Sequence, residues 1–527
     1  MRLSLELPNE ERSILLDPTE VGHKLTDVMR RENLPLNTRC GERLLCKSCT
    51  VEVLLDGEWC PEPACTLTLN RDMRVRIPQH AMLAYNPQIL TDYRVNVPYA
   101  YDPFLGKIGL AAAIDIGTTT VALSLVDLTS GAVVATTTAF NRQMHFGDDV
   151  LTRINLCLTD PNSLGDLQSA IVTETLLPLL EAALTASGRN LSEVKGYLLA
   201  GNTTMLHLLA GVDPSPMGMS PFTPRFINHV ERTSDELGLI PNSIPVHLLP
   251  GSAAYVGADI TGGVLASGLV YEDGPSLLVD VGTNGEIVLK LGDRMYGCAT
   301  AAGPAFEGSG LKCGIRAGDR AISHVCIQSD PFEVINEIIG PPRTKPIGIC
   351  GSAYIDFLAQ GFQAGLLNAS GRLQASALPE DESRIIRGDY GNEFILGIGQ
   401  GRRQITVSEP DIARLLQAKA AIAAGIMILL GRIGVKPAEV KTLYLAGGFG
   451  MHLNIENAIL CGLFPGFRMD QIQLVGNTSL AGATLSAIDS SVLRELDRIG
   501  REIEIVELNL DPEFEDTYID QLQLGEI

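Results

Sequence analysis

DIGTTT at residues 115–120 and DVGTNG at residues 280–285 are near-identical turns, each following an apolar run, AAAIDIG and SLLVDVG. An Asp-x-Gly-Thr turn between two strands presents backbone amides and hydroxyls to phosphate oxygens, and its aspartate reaches a metal. One such turn is an ordinary hairpin loop. Two copies 165 residues apart, one per half of the chain, are a stronger signal. Glycine is needed at positions 117 and 282 because a Cβ there would block the nucleotide. A third motif, LYLAGGFG at residues 443–450, sets a strand against Gly447 and Gly448, so that a purine can pack on bare backbone.

Around these turns the text is α/β in character. The runs AAAIDIG, YLLAG, SLLVDVG and TLYLAGG alternate with helical stretches at residues 164–187 and 411–433. The second helix starts with a capping box, Ser408 followed three residues later by Asp411, with Pro410 in its first turn. The pattern predicts buried, mainly parallel strands covered by helices. Recurrence of the turn predicts a duplicated two-lobed fold with a cleft between lobes, at residues 108–270 and 271–527.

The motifs stand in the order phosphate-1, phosphate-2, adenosine. This part of the chain resembles the actin, sugar-kinase and heat-shock-chaperone ATPase superfamily, which implies a ribonuclease-H-like ATPase core. The resemblance implies that Asp115, Gly117, Thr118 and Thr119 hold phosphates from one lobe, and Asp280, Gly282, Thr283 and Asn284 from the other. Gly447, Gly448 and Gly450 would line the adenosine. Asp115 and Asp280 would organise Mg2+ and the attacking water, mostly through intervening waters. Lys419, on the helix before the adenosine motif, reads either as a base or ribose contact or as a solvated helix-face lysine.

Five of the eleven cysteines fall between positions 40 and 65. The others, such as Cys157, Cys326 and Cys461, are scattered through apolar text as small hydrophobes. Cys40-x5-Cys46-x2-Cys49, then Cys65, suits an iron–sulfur cluster, with a tetrahedral zinc site as the competitor. A loop that must wrap an inorganic core, with Gly41 admitting backbone amides, favours iron and sulfur, and zinc ribbons usually show two C-x2-C knuckles. RCGERLLCKSC followed by ACTLTLNRDMRVRIP resembles 2Fe–2S ferredoxins of the plant and adrenodoxin type, implying an N-terminal β-grasp ferredoxin-like α+β domain at residues 1–80. The gap from Cys49 to Cys65 is shorter than in ordinary ferredoxins, so Cys60 competes with Cys65 as fourth ligand. RLSLEL and SILLD read as a strand pair, HKLTDVMRREN as a short helix, and TVEVLLDG and MRVRIP as strands. Residues 81–107 read as an irregular linker.

A ferredoxin domain ahead of this ATPase core resembles the reductive activators of corrinoid proteins. GNTTMLHLLAG, FGDDVLTRI, AAGPAFEGSGLKCGI and ICGSAYID extend the likeness over nearly the whole chain. The resemblance implies ATP-dependent return of a corrinoid methyl-carrier protein from Co(II) to Co(I), with the electron entering through the 2Fe–2S cluster. It further implies an electron-donating reductase or ferredoxin as partner, and a homodimer. There is no DxHxxG text, so the corrinoid belongs to the partner. Thr300 reads as a corrinoid contact or a packed core residue. His145, His207 and His452 read as hydrogen-bonding structural residues. The rival readings are an activator of another low-potential enzyme, resembling the 2-hydroxyacyl-CoA dehydratase activators, a redox-gated nucleotide-dependent binding protein, and a sugar kinase.

Bulk properties narrow the classes. At 527 residues the chain exceeds one core, and 45% hydrophobic with 19% charged residues describes a folded protein. A net charge of −22 argues against a general nucleic-acid binder. There is no signal-peptide pattern and no uninterrupted apolar run of about 18 residues, so the expected location is the cytoplasm, with no membrane partner.

Overall fold

The structure, a computed structural model, describes residues 1–525 except 8–10, 18–20, 33, 35, 37, 39–41, 43–48, 56, 79–80, 83–92, 94, 96, 98 and 161. It divides into two units, Met1–Asn86 with Gln143–Arg153, and Pro87–Arg142 with Ile154–Ile527.

The first unit contains β1 (Arg2–Glu6), β2 (Glu11–Leu15), β3 (Thr50–Leu55), β4 (Glu58–Pro63) and β5 (Met73–Arg76), with burial alternating along β1 and β3. They form one sheet in the order β2-β1-β5-β3-β4, with β1 parallel to β5 and the other pairs antiparallel. Leu3, Leu5, Val51, Val53 and Val75 share a core with Leu25, Val28 and Met29 of helix α1 (Leu25–Arg31). The sequence pattern indicates each of these elements except β4, which contains Pro61 and Pro63. β4 is an edge strand, where a missing N–H costs no ladder bond. Within Gln143–Arg153, the buried Arg153 donates from Nε to the Gly147 carbonyl at 2.9 Å and from Nη1 to Gln143 Oε1 at 3.1 Å.

The second unit is a duplication. Its first half contains β6 (Leu110–Ile116), β7 (Thr120–Asp127), β8 (Val133–Phe140), α2 (Val150–Thr159, begun in the other unit), α3 (Ser163–Ile171), α4 (Leu177–Ser187), β9 (Val194–Gly201), α5 (Thr203–Leu209), β10 (Val230–Thr233), α6 (Ser234–Leu237), β11 (Pro245–Leu248) and α7 (Ala258–Ala266). The second half contains β12 (Ser276–Val281), β13 (Gly285–Leu291), β14 (Arg294–Thr300), β15 (Ala321–Ser329), β16 (Phe332–Ile338), β17 (Gly348–Ile349) and α8 (Gly351–Gln363). It continues through β18 (Ile385–Gly388), β19 (Gly391–Ile398), β20 (Gln404–Ser408), α9 (Glu409–Ile433), β21 (Thr442–Ala446), α10 (Ile455–Leu460), β22 (Ile472–Gly476), α11 (Thr478–Ile488), α12 (Val492–Glu502), β23 (Ile503–Ile505) and α13 (Phe514–Asp520).

The two large sheets match over five strands, β11-β9-β6-β7-β8 in one and β22-β21-β12-β13-β14 in the other, and each adds a sixth at opposite edges, β10 beside β11 and β23 beside β14. In each, the strand before the phosphate turn pairs in parallel on one side and antiparallel on the other. The sheets are therefore mixed rather than mainly parallel. The antiparallel strands β7, β13 and β14 are as buried as the parallel strands β9 and β21, so their sequences look alike, whereas β8 is partly exposed.

The expected helix at residues 164–187 is interrupted by a π-helical turn at Val172–Leu176, just ahead of Pro178, whose ring cannot continue the regular hydrogen-bond ladder. α9 starts as expected, with Asp411 N donating to Ser408 Oγ at 3.2 Å. Among the described residues, the Ser163–Ser187 helix and α9 are long and apolar enough to cross a membrane by length and composition, but α9 is largely buried against β13, β14, β19 and β20.

Candidate functional site

Both glycine/threonine motifs are tight hairpin turns, one joining β6 to β7 and the other β12 to β13. Gly117 N donates to the Thr120 carbonyl and Gly282 N to the Asn284 carbonyl, each at 2.9 Å. A Cβ on Gly117 would lie 2.6 Å from that carbonyl, so the turn itself excludes a side chain there. Around Gly282 the nearest atom is 3.8 Å away, and a Cβ would stand in the cleft instead. One cleft is lined by Asp115, Gly117, Thr118, Thr119, Asp280, Gly282, Thr283, Asn284, Gly447 and Gly448. Gly450 is not in the lining: it is buried in a short turn where a Cβ would lie 2.9 Å from Leu445 Cγ. Gly447, at φ +89°, is held by the floor of the site, since a Cβ there would sit 2.5 Å from Asp280 Oδ1.

Four carboxylates share this floor. Asp280 faces Glu286 across the β12–β13 ladder, and like charges in that position repel. Asp259, in the first turn of α7, joins them. Asp115 accepts from Asn477 Nδ2 at 2.9 Å and Ser479 Oγ at 2.7 Å, while Asn477 Oδ1 caps α11 by accepting from Leu480 N at 2.9 Å. Burial raises the pKa of Asp115 despite those donors. Burial, then the charge of Asp115, pushes Asp280 up to about 7. Burial, then Asp280 and Asp115, pushes Asp259 up to about 8. Glu286 is raised well above the usual range by burial and then by Asp259 and Asp280. Oxygen-only donors of this charge suit a hard divalent cation. Among the described residues no three such side chains converge as a direct metal site, so a cation would be held largely through water.

A pH signature follows from these shifts. The folded protein keeps protons that the unfolded chain has already released, so metal-free stability falls as pH rises from the normal carboxylate range through about 7 and 8. Mg2+ is expected to raise the melting midpoint more at about pH 8.5 than at about pH 6. Equal shifts at both would remove the carboxylates from the cation's environment.

Cys40 and Cys46 lie outside the described residues, as does Gly41. Cys49 and Cys65 are both buried, and Ala64 N donates to the Cys49 carbonyl at 3.0 Å, which brings the two positions side by side. Cys60 pairs with Val53 on β3. That is four residues along the strand from Cys49, about 13 Å at ~3.3 Å per residue. Glu42, between Cys40 and Cys46, is tied to Lys24 Nζ at 2.7 Å and to Arg30 Nη2 at 3.4 Å.

Residues 110–272 match the family described as the RACo middle region, and residues 274–526 match the one described as the C-terminal domain of RACo, the ASKHA domain. The chain is 31% identical over 422 residues to the corrinoid activation enzyme RamQ of Eubacterium limosum, covering 79% of this chain and 70% of that protein. This chain belongs to the reductive activators of corrinoid proteins. It is also similar to the Co(II) methylated amine-specific corrinoid protein reductase of Methanosarcina barkeri, at 24% identity over 74% of this chain and 72% of that protein. A solved structure described as a reductive activator for corrinoid, iron-sulfur protein superposes with a TM-score of 0.73 at 28% identity, covering 99% of this chain and 98% of the other. The activator is thus an enzyme with an ASKHA ATPase domain.

Other residues singled out in the activator's sequence lie elsewhere. Lys419 is 1% exposed and donates to the Gln523 carbonyl at 2.6 Å, so it anchors the C-terminal segment and is absent from the cleft lining. Burial lowers its pKa to about 8. Thr300 is a core residue whose hydroxyl donates to the Gly285 carbonyl at 3.0 Å behind the second turn. His207 is buried between the Thr203 carbonyl and the Arg225 amide and stacks on Phe226. His145 is buried, and His452 lines the cleft. Asp259, Glu286, Arg316, Asn477 and Ser479 reach the cleft without having been singled out, and Glu307, from the stretch AAGPAFEGSGLKCGI, reaches it too. The glycine-rich text around Asp259, GADITGG, was the available signal for one of them.

Proposed function

We propose that this activator couples ATP hydrolysis to reduction of a corrinoid methyl-carrier protein, converting its cobalt from Co(II) to Co(I). The observation that carries the proposal is the single cleft that gathers both phosphate turns over a carboxylate floor. Amides and hydroxyls of Gly117, Thr118, Thr119, Gly282, Thr283 and Asn284 hold the phosphates, and Gly447 and Gly448 line the adenosine. Asp115 and Asp280, with Asp259 and Glu286 behind them, would hold Mg2+, which would supply neutralisation of phosphate charge. Asp280 also orients the attacking water.

The N-terminal sheet order supports a ferredoxin-like β-grasp domain at residues 1–80, followed by a linker at 81–107 and lobes at 108–270 and 271–527. Cys40, Cys46, Cys49 and Cys65 would hold a 2Fe–2S cluster, which supplies a one-electron carrier. The strand register supports Cys65 over Cys60. The corrinoid is the partner's, and an electron-donating reductase or ferredoxin completes the system. The activator works in the cytoplasm as a homodimer. The activator would bind the carrier in a form whose cobalt is more easily reduced, with ATP in the cleft shifting the population toward that form.

Mixing the reduced activator with a Co(II) carrier under argon should produce the Co(I) absorption band when Mg-ATP is present and only a trace without it. Equal Co(I) formation without nucleotide overturns the coupling. Cys65→Ser is expected to lose iron and sulfide, while Cys60→Ser retains both. The reverse pattern moves the fourth ligand to Cys60.

A further inference from the structure

Glu307 holds together the two turns that are meant to hold phosphate. Thr119 Oγ1 donates to its Oε2 at 2.7 Å and Thr283 Oγ1 donates to its Oε1 at 2.6 Å. These are charge-assisted lengths, and they take one hydroxyl from each half of the duplication. Both threonines are 7% exposed, so neither hydroxyl has bulk water as an easy substitute.

The carboxylate is fixed from behind. It ends the short turn Pro304–Glu307, and Gly308 follows at φ +74°, where a Cβ would lie 2.5 Å from the Ile315 carbonyl. Phe306 stacks on Phe449 of the adenosine motif, with ring centroids 5.2 Å apart. A Cβ on Gly351, at the start of α8, would fall 1.6 Å from the Phe306 carbonyl, so that helix end is interlocked with the turn.

Arg316 also lines the cleft, its guanidinium over the Phe140 ring at 5.6 Å. Its Nε lies 3.5 Å from Glu307 Oε2 without hydrogen-bond geometry, and its buried Nε and Nη2 have no hydrogen-bond partner. Glu307 gives the guanidinium an ion-pair partner but no hydrogen-bond acceptor, and buried guanidinium donors without an acceptor are costly, so an anion entering the cleft would meet donors suited to it. A phosphate suits the planar fork of arginine. It would also accept from Thr119 and Thr283, and it would repel the Glu307 carboxylate.

Resting on the nucleotide reading of this cleft, we infer that Arg316 contacts the terminal phosphate of a bound nucleoside triphosphate, and that Glu307 occupies that phosphate's threonine donors until the nucleotide arrives. Binding then passes the bridge between the two halves from a carboxylate to a phosphate. Nucleoside diphosphate lacks the group that makes the exchange. The pair therefore sets the preference for triphosphate over diphosphate.

The test is calorimetric titration of the full-length protein with Mg-ADP and with the Mg complex of a β,γ-imido ATP analogue. Arg316→Ala is expected to weaken the analogue by roughly tenfold or more while changing ADP by less than about twofold, and Arg316→Lys recovers part of the loss. Glu307→Gln, which keeps the shape and removes the charge, is expected to tighten the analogue by roughly threefold or more and leave ADP unchanged. Melting midpoints check that each variant is folded. The inference is overturned if Arg316→Ala weakens both ligands equally, or if Glu307→Gln weakens the analogue. Wild-type protein that binds neither ligand takes the nucleotide reading down as well. Wild-type protein that binds both, with variants that do not differ from it, removes this inference alone.

Discussion

Asp280→Ala is expected to lower ATP hydrolysis by about a thousandfold or more while making the metal-free protein more stable. The two effects have one cause. Asp280 sits in a floor of four carboxylates, beside Glu286 in the strand register and close enough to Asp115 and Asp259 for each to raise another's pKa. Without a cation that arrangement is repulsive, and deleting one member relieves it. In the proposed role, with nucleotide bound, the same carboxylate would place the cation and the water. The backbone amides of both turns remain, so nucleotide binding should survive with hydrolysis lost, and Co(I) formation should fall with it. A structural carboxylate would behave oppositely, losing stability first. Hydrolysis within about tenfold of wild type, or a lower melting midpoint without metal, would remove Asp280 from its assigned role.

Gly482→Ala should destabilise the ATPase unit by about 3 kcal/mol, whereas Gly262→Ala should cost about 1 kcal/mol or less. The two glycines face each other where α7 crosses α11, so sequence alone offers no reason for them to differ. The geometry does. A Cβ on Gly482 would lie 2.6 Å from Gly262 Cα and 3.3 Å from its carbonyl carbon, and backbone cannot swing aside. A Cβ on Gly262 meets Gly482 Cα at 3.4 Å and the Thr478 carbonyl oxygen at 3.6 Å, which is ordinary contact. The crossing joins the last helix of the first half to the helix capped by Asn477, the residue that also holds Asp115. Widening it should therefore weaken nucleotide binding as well as lower the melting midpoint. Calorimetric melting of both variants decides the point: similar losses in the two would show that the crossing is not as tight as its backbone separation implies.

The phosphate turns were legible because a tight turn is local: Gly117 is dictated by a carbonyl three residues away. α9 was legible because its cap and its apolar face lie within one segment. β4 was hidden because the strand is tolerated only by its edge position, which prolines do not announce. The π-helical turn was hidden because the helical period continues on either side of it. Glu286 read as one residue of a strand, and only the hairpin register sets it opposite Asp280. Asn477 and Ser479 are separated from Asp115 by more than 360 positions. Gly447 was read as space for a purine, yet the nearest obstacle to a side chain there is Asp280.

By itself the sequence determined what depends on short stretches: the duplicated turns, the cysteine spacing, the capped start of α9 and the strands of the N-terminal sheet other than β4. Hydrogen bonds and side-chain periods that close within a few residues leave their mark in local text. Only the tertiary structure decided which groups face one another. It set four carboxylates in one floor, gave Glu307 to both phosphate turns, left the buried Nε and Nη2 of Arg316 without a hydrogen-bond partner, and turned Lys419 and Gly450 away from the cleft. Charge repulsion and close packing act through space across hundreds of residues, so no reading of neighbours along the chain contains them.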